Sequence, residues 1–266
     1  MNILNSCIRV IKLIFYEKRM PHSIKIKIRD TNLFIKLFLF GIKVKCPICG
    51  WKGAEFLPCS VDNRKNARCP RCNSFERHRL YFIFLKQILI NDRSLKVMHV
   101  APEDGVSRLF QSYNNIDYLS VDLNPDRAMK KEDLTDMSFI NDMFDFIFCS
   151  HVLEHIKDDK SAMRELYRVL KPGGSAVVQV PMGEQEKTLE DPKIISPEDR
   201  LKFYGQSDHV RLYGRDYKSK LEESGFIVEE IRFIETLPNE DVKKFALLPN
   251  NGKCVEAEGF IYLCKK

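Results

Sequence analysis

Long hydrophobic runs are missing from this chain of 266 residues. The most apolar stretches near its start, Ile8 to Tyr16 and Leu33 to Ile42, fall far short of the ~20 residues that span a bilayer, and Lys36 interrupts the second. No small-residue cleavage site follows an apolar core there, so neither a membrane span nor a signal peptide is expected. Proline and glycine are sparse at 12 each, and 44% of the residues are apolar, which excludes a low-complexity or disordered chain. An excess of positive charge is missing from most of the sequence. Residues 1–45 hold ten Lys/Arg against Glu17 and Asp30, a net of plus eight, while the whole chain is plus six, so everything after residue 45 sums to minus two. The length fits one large domain with a small appendage. The basic, partly apolar arm is expected to pack on that domain with its lysines in water; an anionic membrane surface or RNA are the other partners its charge admits.

Cysteine, by contrast, is plentiful, and four of the nine form Cys46-Pro47-Ile48-Cys49 and Cys69-Pro70-Arg71-Cys72, nineteen residues apart. Two residues between thiolates let one tight turn aim both sulfurs at a metal, and a second such turn completes a tetrahedron, the pattern of a structural zinc site. Four cysteine ligands close the coordination sphere, so the metal holds structure. Cys59 between the pairs is an alternative ligand, whereas Cys7, Cys149, Cys254 and Cys264 read as lone thiols, the last three in apolar runs. Free thiols and a zinc site point to a reducing cytoplasm.

Beyond the second pair the chain alternates. Phe75 to Leu89 has helical spacing, Lys96 to Ala101 is an apolar strand, Gly105 to Tyr113 a helix, and Tyr118 to Asp122 and Phe144 to Ser150 are strands. Asp158 and Asp159 cap a helix that ends at Lys171-Pro172-Gly173-Gly174, and a strand follows at Ser175 to Val180. Helix Asp216 to Ser224 and strands Gly225 to Phe233 and Gly259 to Cys264 close the sequence. Alternation of this kind implies a mostly parallel sheet covered by helices on both faces. The expected organisation is an arm (1–45), a zinc lobe with a linking helix (46–90) and an α/β domain (91–266) with a long polar insert at about 182–214, of the length that often forms a lid.

The segments "YLSVDLNP", "DLTDMSF", "FDFIFCSHVLEHIKDD", "RELYRVLKPGGSAVVQVP" and "GRDYKSKLEESGFIV" together resemble class I methyltransferases that use S-adenosylmethionine (SAM). The likeness spans about residues 95–235. With the cysteine pairs, "SFERHRL", "HVAPE" and "GQSDHVRLYG", the chain looks like a bacterial subgroup that carries a zinc-binding segment. The resemblance implies a Rossmann-like seven-stranded sheet, six strands parallel and the last antiparallel, with SAM as cofactor. It places Asp122 and Leu123 at the ribose, Asp133 and Leu134 at the adenine, and Ser150 and His151 at the end of a strand facing the ligand. "VMHVAPEDG" puts Ala101, Glu103 and Gly105 where the family has three glycines, and His99 where it has an acid. Glu103 is the main departure: a carboxylate there would repel a phosphate but suits the positive methionine end of SAM.

His151 and His155, four apart, are expected on one face of a short helix. His151-Val152-Leu153-Glu154-His155 lacks the H-E-x-x-H order of a metal helix, and no third ligand is evident. In the insert, Tyr204, Gln206, Asp208, His209, Arg211 and Tyr213 cluster; Tyr204, Asp208, Arg211 and Tyr213 are candidate acceptor contacts, and His209 and His155 candidate bases. A rival expectation for this stretch is a surface loop tied by an Asp208–Arg211 pair. Arg77 and His78 either support the zinc lobe or face the cleft. The activity implied is methyl transfer to a small molecule or a glycan precursor in the cytoplasm, with RNA methylation or a non-catalytic scaffold as alternatives.

Overall fold

The computed structural model describes residues 31–33, 35–36, 39–59, 64–89, 93–248 and 260–266; Cys7, Cys254, the Ile8–Tyr16 stretch and most of the basic arm lie outside the described residues. Near the end of the arm, Lys36 pairs with Glu55 of the cysteine lobe.

The lobe is built on a short antiparallel pair, β1 (Val44–Lys45) and β2 (Lys52–Gly53), and on two matching turns. Gly50 N–H donates to the Cys46 carbonyl and Asn73 N–H to the Cys69 carbonyl, each at 2.9 Å. Both turns close through a left-handed residue, Gly50 at φ 74° and Asn73 at φ 57°. Glycine and asparagine are the residues that tolerate this conformation, so the fifth position of each C-x-x-C turn is chosen by backbone sterics.

Helix α1 (Glu76–Ile88) leads into a seven-stranded sheet of order β5-β4-β3-β6-β7-β9-β8. Its strands are β3 (Leu95–Val100), β4 (Ile116–Asp122), β5 (Lys130–Lys131), β6 (Phe144–Ser150), β7 (Leu170–Gln179), β8 (Ile227–Ile231) and β9 (Ile261–Lys265). The pairs from β5 across to β7 are parallel, and β9 runs antiparallel to both of its neighbours. The mostly parallel sheet expected from the alternation is present, with the seven strands and antiparallel last strand that the resemblance implies. The helices are α2 (Asp104–Gln111), α3 (Asp159–Val169), α4 (Pro197–Tyr204), α5 (Tyr217–Glu222) and α6 (Asn239–Lys244). One boundary differs from expectation: Lys171–Gly174 does not separate α3 from its strand. Leu170 already pairs with Phe144, and a register shift before the Phe146–Ser175 pair absorbs the Pro-Gly-Gly stretch inside β7.

Alternation along β3 sorts its side chains between two cores. Met98 and Val100 join α3 and α5 residues on one face, and Val97 joins Leu80, Phe84 and Leu85 of α1 and Val106 and Phe110 of α2 on the other. His99, in register with Val97, is buried on that second face among Phe110, Tyr118 and Phe148. Cys149 and Cys264 are core residues, as expected of thiols in apolar strands.

A buried guanidinium joins the lobe to this frame. Arg79 of α1 donates to the carbonyls of Ala67 and Ser74 (both 2.9 Å) in the lobe, and to those of Phe245 and Ala246 (both 2.7 Å) just past α6. It lies over the Phe56 ring at 4.3 Å, and burial draws its pKa down to about 10, against the pull of Glu76. Truncating it would strand four carbonyls that the forked cation serves together. Arg79→Ala is expected to cost about 3 kcal/mol or more in urea unfolding, with Arg79→Lys recovering only part, since an ammonium cannot span the same four acceptors.

Candidate active-site cleft

Both central strands end in a left-handed residue. Ala101 after β3 has φ 46° and His151 after β6 has φ 55°. For non-glycine residues this conformation costs on the order of 1–2 kcal/mol and turns the chain sharply off the sheet. The turn at Ala101 delivers Pro102 and Glu103 to the carboxyl edge of the sheet.

Glu103 occupies the N-cap position of α2, yet its side chain makes no capping bond. It turns inward instead, with Oε1 at 3.7 Å from His78 Nε2 and Oε2 at 3.7 Å from His99 Nε2. Burial alone would raise its pKa, but the neighbouring imidazole of His99 and the guanidinium of Arg77 outweigh it and hold the carboxyl below the ordinary carboxylate range. His99 in turn lies 3.1 Å from the Tyr118 hydroxyl, which donates to Ser107 at 3.0 Å. Gly105 faces a different neighbour: a Cβ there would meet Ile48 of the first cysteine turn at 3.0 Å. A cavity of about 230 Å³ lies between the second cysteine turn and this loop, lined by Ser74, His78, Glu103, Gly105 and Arg127 among others.

Arg77 and His78 face the cleft. His78 Nδ1 accepts from the Phe75 N–H at 3.2 Å, which leaves Nε2 to carry the proton towards Glu103. The charge of Arg77 acts on Glu103, His151 and Glu154, and its Nε is buried without a hydrogen-bond partner among the described residues. Glu103 Oε2 and the Ser150 hydroxyl are orphaned in the same sense. Along the next strand end, Asp122 Oδ1 accepts from Asn124 N–H at 2.8 Å, Oδ2 lies 4.0 Å from Arg127, and Leu123 is exposed. Asp133 Oδ1 accepts from the Thr135 amide and hydroxyl, bonds that hold its pKa down, and Leu134 is core.

His151 and His155 do not share a helix face. The left-handed His151 precedes a single 3₁₀ turn at Leu153–His155, and the fully buried Glu154 points back between them. Glu154 Oε1 lies 3.4 Å from His151 Nδ1 and 4.0 Å from both His155 Nε2 and His209 Nε2. His209 reaches this group from the insert and is itself buried. The third histidine of this group, His209, comes from a distant segment, so no spacing along the sequence reports it.

The insert is folded more tightly than a polar lid. Met182 and Leu189 bridge to Tyr213 and Leu212, and α4 starts at a Ser196 cap. Arg211 does not pair with Asp208. Its nitrogens reach both Glu190 oxygens (2.8 and 3.0 Å) and the carbonyls of Leu153, Ile156 and Lys157, and lie 3.5 Å from Asp159. Tyr213 donates to Asp159 at 2.7 Å, and Tyr204 accepts from the Asp191 N–H at 3.0 Å; both rings are buried. Arg211 and Tyr213 tie the insert to the segment between β6 and α3, Tyr204 ties the insert to itself, and the exposed Asp208 faces His155 Nδ1 at 3.4 Å.

In the lobe, Cys46, Cys49, Cys69 and Cys72 converge, with Cys46–Cys72 and Cys49–Cys69 sulfurs 3.6 Å apart. A tetrahedral ion with ~2.3 Å bonds to sulfur sets its ligands ~3.8 Å apart, so the four thiols fit one. Cys59, though buried, stands outside the group.

The seven-stranded sheet, its order and its antiparallel β9 define a Rossmann-like methyltransferase fold. Residues 91–178 match the methyltransferase domain family. Among solved structures, the chain is similar to one from the complex of the Haloferax volcanii Trm112 methyltransferase activator with a methyltransferase, at 14% identity over 71% of this chain and 90% of that one, with a TM-score of 0.51. It is also similar to a SAM-dependent methyltransferase of Archaeoglobus fulgidus (16% identity, 71% and 94% covered, TM-score 0.46) and to a Bacillus halodurans protein described as a methyltransferase (19%, 69% and 93%, 0.42).

Burial, then the charge of Arg77, push the His78 pKa down to about 4, against the pull of Glu103. An unfolded imidazole titrates near ~6.5, so between those values the unfolded chain binds a proton that the folded chain refuses, and stability falls as pH drops from about 6.5 towards 4. His78→Gln is expected to flatten that part of the urea-midpoint profile; profiles of equal slope would show that His78 is not held neutral.

Proposed function

We propose that this chain is a SAM-dependent methyltransferase whose cofactor's amino-acid end is held by Arg77 and Glu103, with a small molecule or glycan precursor as acceptor. The observation that carries the reading is the set of orphaned buried polar atoms, Arg77 Nε, Glu103 Oε2 and Ser150 Oγ, around the ends of β3 and β6. A cation and a carboxylate whose charges act on one another across the same strand ends complement a zwitterion, and burial strengthens both contacts. Asp122, closing β4 on the same edge, is the ribose partner together with Leu123, the Asp133–Leu134 segment lies at the adenine, Ala101 admits the ligand to the turn, and Gly105 borders it with its α-carbon packed on Ile48. SAM supplies an electrophilic methyl: the acceptor's lone pair bonds to its carbon while the carbon–sulfur pair leaves on sulfur. The chain's own task is to orient donor and acceptor and exclude water. His155 and His209, at the far side of Ser150 and His151, are the groups that take the proton of a hydroxyl acceptor. Tyr204, Arg211 and Tyr213 act on the acceptor through the shape of the insert, and Asp208 stands at its open edge. The small-molecule reading is favoured over RNA because the chain beyond residue 45 has no excess of positive charge for a phosphate backbone.

Calorimetry is expected to show saturable binding of SAM and S-adenosylhomocysteine. Arg77→Met, Glu103→Gln and Asp122→Asn should each weaken it about tenfold or more, the size of one lost charge-assisted contact. Absence of saturable binding would leave a fold that serves as a binding module.

The ion we assign to the four cysteines is zinc, in a closed structural site. Its removal by chelation should release the lobe and lower SAM affinity together, because Arg77 and His78 follow the second cysteine turn directly. A metal-free protein with unchanged melting temperature and SAM affinity would overturn this assignment.

A further inference from the structure

We infer that Glu154, His155 and His209 form a second metal site, for a divalent first-row transition ion, at the carboxyl end of β6. The geometry points there through the arrangement of protons. His209 Nδ1 lies 3.2 Å from the Tyr204 carbonyl, which can only accept, so Nδ1 carries the proton and Nε2 presents a lone pair. His155 Nδ1 faces the Asp208 carboxylate at 3.4 Å, with the same consequence for its Nε2. Both lone pairs are directed at Glu154 Oε1, each at 4.0 Å, and the two rings stand edge to face with centroids 4.8 Å apart. Three metal-ligating groups therefore converge, and the nearest group able to donate to them is His151 Nδ1, 3.4 Å from Glu154 Oε1. Both Glu154 oxygens and His209 Nε2 are buried without a hydrogen-bond partner among the described residues, in a protein interior where such groups are normally satisfied.

An ion resolves this arrangement. Two imidazoles and one carboxylate suit a borderline divalent metal, and each histidine already has the carbonyl or carboxylate partner on its other nitrogen that metal-bound histidines use to fix ring orientation. Bonds of ~2.1 Å bring donors to ~3–3.4 Å from one another, so closure requires side-chain movements of roughly half an ångström. His151, 3.4 Å from Glu154 Oε1, borders the site, and the exposed edge of His155 opens it to the cleft. The tetracysteine site is of a different kind: soft and fully ligated, where this one has three harder ligands and open positions. If the methyl-transfer reading holds, an oxygen of the acceptor can take an open position and be acidified by the ion, with His155 and His209 then serving as its ligands in place of the direct base role given above; the metal site itself does not depend on that reading.

The test uses the full chain with its cysteine site saturated with zinc, titrated with cobalt(II) in the absence of SAM. The expected result is one further equivalent of cobalt with ligand-field bands of nitrogen and oxygen ligation and no thiolate charge-transfer band, accompanied by a rise in melting temperature that depends on cobalt concentration. His209→Gln and Glu154→Gln should lower the affinity by about 10–100-fold or more, and so should His155→Gln, which sits at the exposed edge and spares the core. No uptake beyond the zinc, uptake showing only the thiolate band, or undiminished binding by His155→Gln would each overturn the assignment. Its failure leaves SAM binding untouched, and a failure to bind SAM leaves the cobalt result standing.

Discussion

The lobe, the first helix and the sheet meet at one buried guanidinium. Arg79 gives its protons to four carbonyls from two distant segments, the lobe around the second cysteine turn and the chain past α6. An interior cation whose hydrogen bonds all go to the main chain is stable because each carbonyl also needs a donor, so cation and backbone satisfy one another. This contact orients the first turn of α1 and with it Arg77 and His78. The cleft therefore takes two of its polar groups from outside the α/β domain.

Along the carboxyl edge of the sheet, polar chemistry is concentrated to an unusual degree. The chain has six histidines, and His78, His99, His151, His155 and His209 all lie around the ends of β3 and β6, each within 4.0 Å of Glu103 or Glu154. The two carboxylates differ in state. Glu103 is held ionised by its neighbours, whereas burial raises the pKa of Glu154 against its own amide, His155, His209 and Arg77. One edge thus offers a fixed negative charge on the side of α2 and an adjustable one on the side of the insert.

Much of the fold could be read from the sequence because its signals are local. Strand runs such as Phe144–Ser150 carry their own periodicity, and the C-x-x-C turns carry their own geometry. The polarity of the insert suggests a lid or binding loop, although Ser196, Pro197, Glu198 and Asp199 are a helix start and Gly205 a helix stop; it masks a short helix with one buried ring, Tyr204. The site was harder. Glu154 and His209, or Arg211 and Glu190, meet only after the insert folds back on the turn after β6, and no spacing rule reports such a meeting. The Asp208–Arg211 pair failed for the same reason, since distant Glu190 and Asp159 compete for the guanidinium from within the core.

Gly105 carries a consequence for how glycines in such turns are interpreted. In this chain, its missing side chain makes room for Ile48 of the first cysteine turn. A motif glycine can be the footprint of an attached lobe as readily as that of a bound ligand. Grafting this α/β domain without its lobe would then uncover a dent in the turn, and grafting the lobe onto a relative with a bulkier residue there would meet a bump.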